Sequence, residues 1–275
     1  SPIEGGPAEA AGVQSGDIII AVDGKVLEGL SILEAVSLIR GPRGSTVILT
    51  IKHVGVLEPI DISIVRDVIA LPSVLLRSSS GNPIVHIRIT EFKANTADIF
   101  REVLMRELDN GAKALILDLR GNPGGYLQQV FEIADMFMDK DVILIEERQG
   151  GEYVWESEDG GIATELPVIL LVNGASASGS EIIMGAFQDT GRAQVVGETS
   201  FGKGTVNVFR KLTNGGGLYM SIGRWFTPNR RPIEGEGLSP DFNISFKDSQ
   251  KTDIEQVQKA IKLLEEFIDG QDESN

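Results

Sequence analysis

Two short apolar runs, each ending in a loop of small residues, constrain the fold of this chain more than any other feature. The first is ALILDL at 114–119, followed by RGNPGG, and the second is VILLV at 168–172, followed by NGASASGSE. Runs of this length and composition are typical of strands buried on both faces of a parallel sheet. Functional loops in such sheets lie at the carboxyl ends of the strands. These two loops are therefore the first places to look for a functional site.

The stretch from 69 to 275 alternates apolar strand patterns with amphipathic helix patterns. Helices are predicted at NTADIFREVLMREL, LQQVFEIADMFM, SEIIMGAFQDTG and DIEQVQKAIKLLEEFIDG. Alternation of this kind produces βαβ units and a largely parallel sheet. We therefore expect residues 69–275 to form an α/β domain.

Residues 1–68 have a different rhythm, with short strands on either side of an Asp23-Gly24 turn, a helix in SILEAVSLIR and a strand in TVILTIKH. Their opening, SPIEGGPAEAAGVQSGDIIIAVDG, resembles the PDZ domains of bacterial proteases. Such domains bind a peptide as an added strand beside an edge strand. In that family the edge strand and the carboxylate-binding loop precede the residues at which this sequence begins. The resemblance implies an N-terminally truncated PDZ domain over 1–68.

Charge and cysteine content exclude several functions. The chain has 25 basic and 40 acidic residues, a net charge of −15, and one short basic cluster, GRWFTPNRRP. Nucleic acid is therefore not an expected partner, since phosphate binding needs a concentrated basic face. The absence of cysteine excludes disulfides, thiol catalysis and cysteine metal sites. No apolar run has transmembrane length, and no secretory leader follows Ser1.

The segment GETSFGKG at 197–204 is one residue short of a phosphate-binding loop. Gly204 stands where Ser or Thr would hold magnesium, and TVNVFRK after it has a strand pattern. A phosphate loop needs a helix there, because the helix N-terminus faces the phosphates. We expect no nucleotide binding, and Lys203 needs another explanation.

The loop NGASASGSE offers three candidate nucleophiles, Ser176, Ser178 and Ser180, before a predicted helix. A helix N-terminus supplies unpaired N–H groups that suit an oxyanion. From the loop alone, nucleophilic catalysis and simple helix capping remain equal alternatives.

A serine nucleophile needs a base, and the choice is narrow. His53 and His86 both fall within predicted strands, so a structural role is the better interpretation for each. Lys203, flanked by glycines on a turn, leaves a Ser-Lys pair as the alternative. A lysine acts as a base only when neutral, so we expect this side chain to be buried.

Three motifs, LILDLRGNPGG, NGASASGSEIIMGAFQDTGRAQVVGETSFGKGTV and TPNRRPIEGEGLSPD, resemble the carboxyl-terminal processing proteases, also called tail-specific proteases. They occur in the family's order, and the resemblance covers essentially the whole chain. It implies a protease core with a spiral of the crotonase and ClpP type after the PDZ domain. It also implies a Ser-Lys dyad that cleaves proteins near their carboxyl termini through an acyl-enzyme.

Site residues follow from the resemblance position by position. The family's nucleophile lies three residues before the loop glutamate and 25 before the lysine, which selects Ser178 and Lys203. Its oxyanion hole uses the N–H after the nucleophile, here Gly179, and one from the glycine loop, here Gly124 or Gly125, with Gly124 preferred. Asn207 replaces the glutamine that helps to hold the lysine amine in the family.

The expected partners are protein or peptide substrates with accessible carboxyl-terminal tails. Substrate is expected to lie as an added strand beside GLYMSIGRWF or a neighbouring strand. No metal or other cofactor is required, a homo-oligomer is compatible with these features, and the resemblance implies a bacterial cell-envelope or periplasmic location. The alternative function is a catalytically silent module of the same fold, which captures a peptide without cutting it.

Overall fold

The computed structural model describes residues 2, 6–14, 16–30, 32–53, 55–56, 58–68, 72–79, 81–213, 215–245 and 249–272. The chain divides into two compact units, 1–71 and 72–275. The predicted boundary between 68 and 69 adjoins residues 69–71, which lie outside the described residues.

The first unit is a small antiparallel sheet with two helices. Its elements are α1 (Pro7–Ala10), β1 (Ile18–Val22), β2 (Lys25–Val26), α2 (Ile32–Ile39), β3 (Thr46–Lys52) and β4 (Ile60–Val65), and the strand order is β2-β1-β3-β4. Asp23 and Gly24 have φ of 48° and 76°, the positive values that a tight hairpin of two residues needs. The predicted hairpin is therefore confirmed.

The second unit is built on a six-stranded sheet, as the alternating pattern predicts. Its elements begin with β5 (Val74–Leu76), β6 (Ile84–Ile89), α3 (Thr96–Asp109), β7 (Ala114–Asp118), α4 (Leu127–Asp135), β8 (Val142–Arg148), β9 (Gly151–Glu156), β10 (Val168–Val172), α5 (Gly179–Asp189) and β11 (Gln194–Gly197). It ends with β12 (Thr205–Lys211), β13 (Gly217–Phe226), β14 (Phe242–Asn243) and α6 (Ser249–Asp272).

The six-stranded sheet, called the core sheet below, has the order β14-β11-β10-β7-β6-β5 and is parallel except where β5 meets β6. All residues of β7 and β10 are buried. Helices α3, α4 and α5 contribute to the main hydrophobic core on one face, and α6 packs on the other. The predicted α/β fold is confirmed, and the loops after β7 and β10 leave the same edge of the core sheet.

A second sheet in this unit, called the outer sheet, is entirely antiparallel and has the order β12-β13-β8-β9. The sequence pattern did not predict β9, whose residues are all exposed. It also did not predict how GLYMSIGRWF, which is β13, is paired: residues 217–224 pair with β12, and residues 223–226 pair with β8. Substrate beside GLYMSIGRWF or a neighbouring strand stays a prediction, and β12, which ends this sheet among the described strands, has an open edge.

No described helix combines the length and the apolar composition that a membrane-spanning segment requires.

Candidate active site

Ser178 occupies a sharp turn between β10 and α5. Its backbone angles are φ 55° and ψ −112°, a conformation that residues other than glycine rarely adopt. Such backbone strain is found at functional sites, where it aims a side chain out of a strand-to-helix turn. Of the three candidate serines, Ser178 is the one with this geometry. Ser176 and Ser180 are fully buried, and their hydroxyls donate to backbone oxygens of Leu119 and Asn122.

Hydrogen bonds join the serine loop after β10 to the glycine loop after β7. The backbone oxygen of Asn122 also accepts from the Ala177 N–H, and Asn173 Oδ1 accepts from the Gly121 N–H at 2.9 Å. A Cβ added to Gly124 would lie 2.7 Å from Ser178 Cβ and 3.0 Å from the Gly179 nitrogen. The glycine loop therefore approaches Ser178 so closely that a side chain at 124 would displace it.

Backbone N–H groups beside Ser178 include two that donate to no acceptor in the described structure. One is the N–H of Gly179, the first residue of α5, and the other is the N–H of Gly125. The Gly124 N–H instead donates to Asn122 Oδ1 at 2.8 Å. That hydrogen bond does not support the predicted preference for Gly124 as the second oxyanion donor, because a committed donor must first break its own bond.

Glu181 joins the serine turn to the turn that carries Lys203. This carboxylate is fully buried and accepts four hydrogen bonds. Its Oε2 accepts from the backbone N–H of Ser178 at 2.8 Å and of Lys203 at 2.9 Å. Its Oε1 accepts from Ser200 Oγ and from the Gly202 N–H, at 2.7 and 2.6 Å. One side chain therefore fixes the backbone of both predicted catalytic residues.

Lys203 differs from expectation in its environment. The predicted burial is wrong: the residue is exposed, and no hydrogen bond joins its amine to the Ser178 side chain in the described part of the chain. The physical reason is that Glu181 holds the main chain of the turn and not the side chain. The structure thus brings the two backbones together and leaves Lys203 exposed.

The glycines around Lys203 are explained by close packing. A Cβ on Gly202 would lie 2.9 Å from the Gly237 nitrogen, and one on Gly204 would lie 2.5 Å from the Glu234 nitrogen. The Gly204 N–H also donates to Glu234 Oε2 at 2.7 Å. Lys203 is followed by a strand and not by a helix, which confirms that the segment lacks the structure of a phosphate loop.

Asn207 lies on β12 and bonds to its neighbours on the outer sheet. Its amide nitrogen donates to Thr205 oxygens at 3.2 Å, and its Oδ1 accepts from Ser221 Oγ at 2.7 Å. None of these three bonds involves Lys203, so a role in holding the lysine amine stays a prediction.

The two histidines are paired with carboxylates, as the structural interpretation predicted. His53 Nδ1 lies 2.7 Å from Asp17 Oδ1, and His86 Nε2 lies 3.1 Å from Asp118 Oδ2. Asp118 also accepts hydrogen bonds from Arg120 Nε and Nη2. Arg120 Nη1 in turn donates to Asp253 Oδ1 on α6. Burial alone would raise the pKa of Asp118, but the bonds from Arg120 and His86 outweigh it and hold that pKa well below its usual range.

Three residues with structural importance escaped the sequence interpretation. Glu181 served there only as a landmark for counting, and Asn122 and Asn173 were not singled out. The available signal was a polar residue inside an otherwise small or apolar loop, since a buried polar group requires partners. Spacing along the chain does not reveal the partners from distant loops, such as the Lys203 N–H that binds Glu181 and the Gly121 N–H that binds Asn173.

Comparison with known proteins agrees with this geometry. The model of peptidase family S41 matches residues 83–244, which is more than half of the chain, and a PDZ domain model matches residues 1–53. The chain belongs to peptidase family S41. The predicted resemblance is thereby confirmed, including the PDZ domain at the N-terminus.

Individual relatives have the same type of name. The chain is 36% identical over 281 residues to a carboxy-terminal-processing protease of Bartonella bacilliformis, covering 100% of this chain and 64% of that protein. It is 36% identical to the carboxy-terminal processing protease CtpA of Bacillus subtilis, covering 95% of this chain and 56% of that protein. The chain therefore spans roughly three-fifths of these relatives' lengths.

A solved structure supports the fold. The photosystem II D1 C-terminal processing protease superimposes with a TM-score of 0.63 at 27% identity, covering 90% of this chain and 68% of that one. A putative S41 protease from Bacteroides fragilis superimposes with a TM-score of 0.65 at 18% identity, covering 90% and 70%.

Proposed function

We propose that this chain is the PDZ and catalytic part of a serine endopeptidase that cleaves protein substrates near their carboxyl termini. One observation carries the proposal. Ser178 is held in a strained turn at a helix N-terminus, and the same Glu181 Oε2 that binds its N–H binds the N–H of Lys203. Relatives named carboxy-terminal-processing proteases support the substrate class.

The proposed mechanism uses residues of this chain alone. Neutral Lys203 removes the Ser178 proton, and Ser178 Oγ attacks the carbonyl carbon of the scissile peptide. The oxyanion is stabilised by the uncommitted N–H groups of Gly179 and Gly125. Lys203 then protonates the leaving amine, and water hydrolyses the acyl-enzyme. Because the Lys203 side chain is exposed, this mechanism requires the bound peptide to help exclude water from the amine.

The edge of β12 is the place where substrate adds as a strand in this proposal. It is the open edge nearest to Lys203 along the chain, since β12 begins at Thr205. The PDZ unit recognises the substrate tail or controls access to the site, and the location in the cell envelope stays a prediction from the family resemblance.

The test compares the full chain with Ser178→Ala and Lys203→Ala on an unfolded protein, casein, labelled at its carboxyl terminus. Loss of the labelled end is measured by gel and mass spectrometry. We expect cleavage by the parent chain and a loss of at least about 10³-fold in either variant. Ser37→Ala and Lys262→Ala, distant in sequence from both motifs, serve as matched controls. Equal cleavage by the parent and both site variants would exclude the Ser-Lys mechanism.

The second candidate function is the silent peptide-binding module, and the exposed Lys203 favours it. This module would bind the labelled protein equally well with or without Ser178→Ala and would release no fragment. A sulfonyl fluoride distinguishes the two functions, because only an activated Ser178 reacts with it at a rate above that of free serine.

A further inference from the structure

The segment 199–233 differs in charge from the rest of this acidic chain. It contains no Asp or Glu, whereas the whole chain has a net charge of −15. Its basic residues are Lys203, Arg210, Lys211, Arg224, Arg230 and Arg231. Arg230 and Arg231 bind the carboxylates of Glu152 and Asp189. Arg210 and Lys211, both exposed on β12, have no carboxylate within 4.0 Å among the described residues.

The same hairpin, β12 and β13, carries a pair of exposed aromatic side chains. Phe209 is 69% exposed and Tyr219 is 64% exposed, and the two residues are directly opposite in the strand register. Opposite residues of an antiparallel pair project on the same face. Asn207 projects on that face too, because residues two apart in a strand share a face, and its Oδ1 binds Ser221 across the pair.

Position along the chain connects this surface to the candidate active site. Strand β12 begins two residues after Lys203 and, among the described strands, pairs only with β13, so its other edge is unpaired there. At about 3.3 Å per residue, Phe209 lies roughly 20 Å along the chain from Lys203. An extended peptide added to this edge would therefore contact Phe209, Arg210 and Lys211 with residues about five to seven positions from its scissile bond.

We propose that the β12–β13 hairpin selects extended substrate segments with alternating apolar and acidic residues, at a distance of several residues from the bond that is cut. The free edge of β12 pairs with the substrate backbone, Phe209 and Tyr219 contact its apolar side chains on one face, and Arg210 binds its carboxylates on the opposite face. Lys211, on the face of Phe209, adds positive charge at the end of the strand. This inference rests on the proposed peptidase function and assigns its substrate class.

Charge favours such a substrate over a second copy of the chain. Symmetric pairing of two β12 edges brings the Arg210 and Lys211 pairs of both copies onto one short edge, and like charges opposite each other destabilise a sheet. The positive charge of segment 199–233, which contains no Asp or Glu, is complementary to an acidic peptide and not to a second copy of the same segment.

The test uses short amidated fluorogenic peptides that share one cleaved core, so that PDZ binding of a free carboxyl terminus does not contribute. A Leu-Asp-Leu-Asp extension, a Leu-Lys-Leu-Lys extension or a Ser-Gly extension is added on the amino side or on the carboxyl side. We expect the Leu-Asp extension on one side to raise kcat/KM by about tenfold over Ser-Gly. N-methylation of that extension, which blocks strand pairing, should remove the gain.

Two double variants test whether the rise in kcat/KM from the Leu-Asp extension depends on the β12–β13 hairpin. Phe209→Ala with Tyr219→Ala should remove most of it and leave the unextended core within about twofold. Arg210→Gln with Lys211→Gln should abolish the preference for Asp over Lys, as should raised salt, because salt screens exposed charges. Tyr153→Ala, on the opposite edge of the same sheet and 52% exposed, is the matched control and should change nothing.

Binding separates this inference from the proposed peptidase function. The same peptides, carrying a dye, are titrated by fluorescence anisotropy into the full chain with Ser178→Ala. If nothing is cleaved but the extended peptide binds and the hairpin variants weaken it, the peptidase proposal fails and the selecting surface stands. Equal affinity for all extensions overturns the inference. An oligomer in sedimentation that dissociates in the Phe209/Tyr219 variant, with substrate preference unchanged, also overturns it in favour of a second copy.

Discussion

The second unit contains two sheets that differ in almost every physical respect. In the core sheet, β7 and β10 are buried along their whole length and pair in parallel with their neighbours. In the outer sheet, β9 is exposed at every residue, and the last four residues of β12 are exposed as well. A strand buried on both faces is rigid and positions the loops at its ends, whereas an exposed edge strand is open to another polypeptide.

The contrast assigns a different part of the candidate site to each sheet. Ser178, Gly124 and Gly125 follow core strands, and Lys203 precedes an outer strand. Glu181 connects the two parts, because its carboxylate accepts hydrogen bonds from the backbone N–H groups of Ser178 and Lys203. The substitutions below test whether each sheet contributes its own part of the site. The first removes the carboxylate that links the two parts.

Glu181→Gln should have the largest effect. The amide retains the size of the side chain but places an NH₂ group against backbone donors, so the Ser178 and Lys203 turns lose their shared acceptor. We expect kcat/KM to fall by about 10³-fold, since hydrogen bonds to a charged group are worth about 1.5–3 kcal/mol each. Glu107→Gln, a buried carboxyl of α3, should reduce stability without this loss of activity. Normal cleavage by Glu181→Gln would show that the two turns do not need this connection.

Leu170→Ala tests the rigidity of the core sheet. Leu170 on β10 is fully buried, so its truncation should lower the free energy of unfolding by about 3–4 kcal/mol in urea. Val154→Ala on β9, where the side chain is 53% exposed, should lower it by less than about 1 kcal/mol. Similar losses from both variants would contradict the contrast between the sheets.

Gly124→Ala tests the contact between the glycine loop and Ser178. Its φ is 100°, and the new methyl would meet Ser178 Cβ at 2.7 Å, so we expect kcat/KM to fall by about 100-fold. Gly111 has a similar φ of 95° but open space around it. Gly111→Ala should therefore cost about 1–2 kcal/mol of stability and leave kcat/KM unchanged. Equal activity of the two variants would argue against close approach at Gly124.

Asp118→Asn should have the smallest effect and should depend on pH. The pKa of this carboxyl is lower in the folded chain than its ordinary value of 3.8, so its ionised form stabilises the fold above about pH 4, and this contribution is lost as the pH falls below that value. At pH 7 the variant should lose about 2 kcal/mol of unfolding free energy. The difference from the parent chain should shrink at pH 3, whereas exposed Asp109→Asn should show little difference at either pH.

Sequence determined the parts of this protein that depend on local pattern. The buried runs at 114–119 and 168–172 predicted the central strands, and the alternation predicted the α/β class, because apolar periodicity is a property of neighbouring residues. The strand after Lys203 excluded a phosphate loop for the same reason. Resemblance to the family's motifs selected Ser178 and Lys203, and their catalytic roles stay proposals for the experiments above.

Only the tertiary structure decided how distant loops meet. Four donors from residues 178 to 203 converge on Glu181, and the Gly124 N–H is committed to Asn122 while that of Gly125 is not. The position of β12 at the end of the outer sheet, among the described strands, gave it an open edge beside the lysine turn. Burial and partner choice arise from long-range packing, so the sequence could propose a buried lysine, and the folded chain has an exposed one. For the same reason it could not show that the Gly124 N–H donates to Asn122, and the choice between Gly124 and Gly125 stays a prediction.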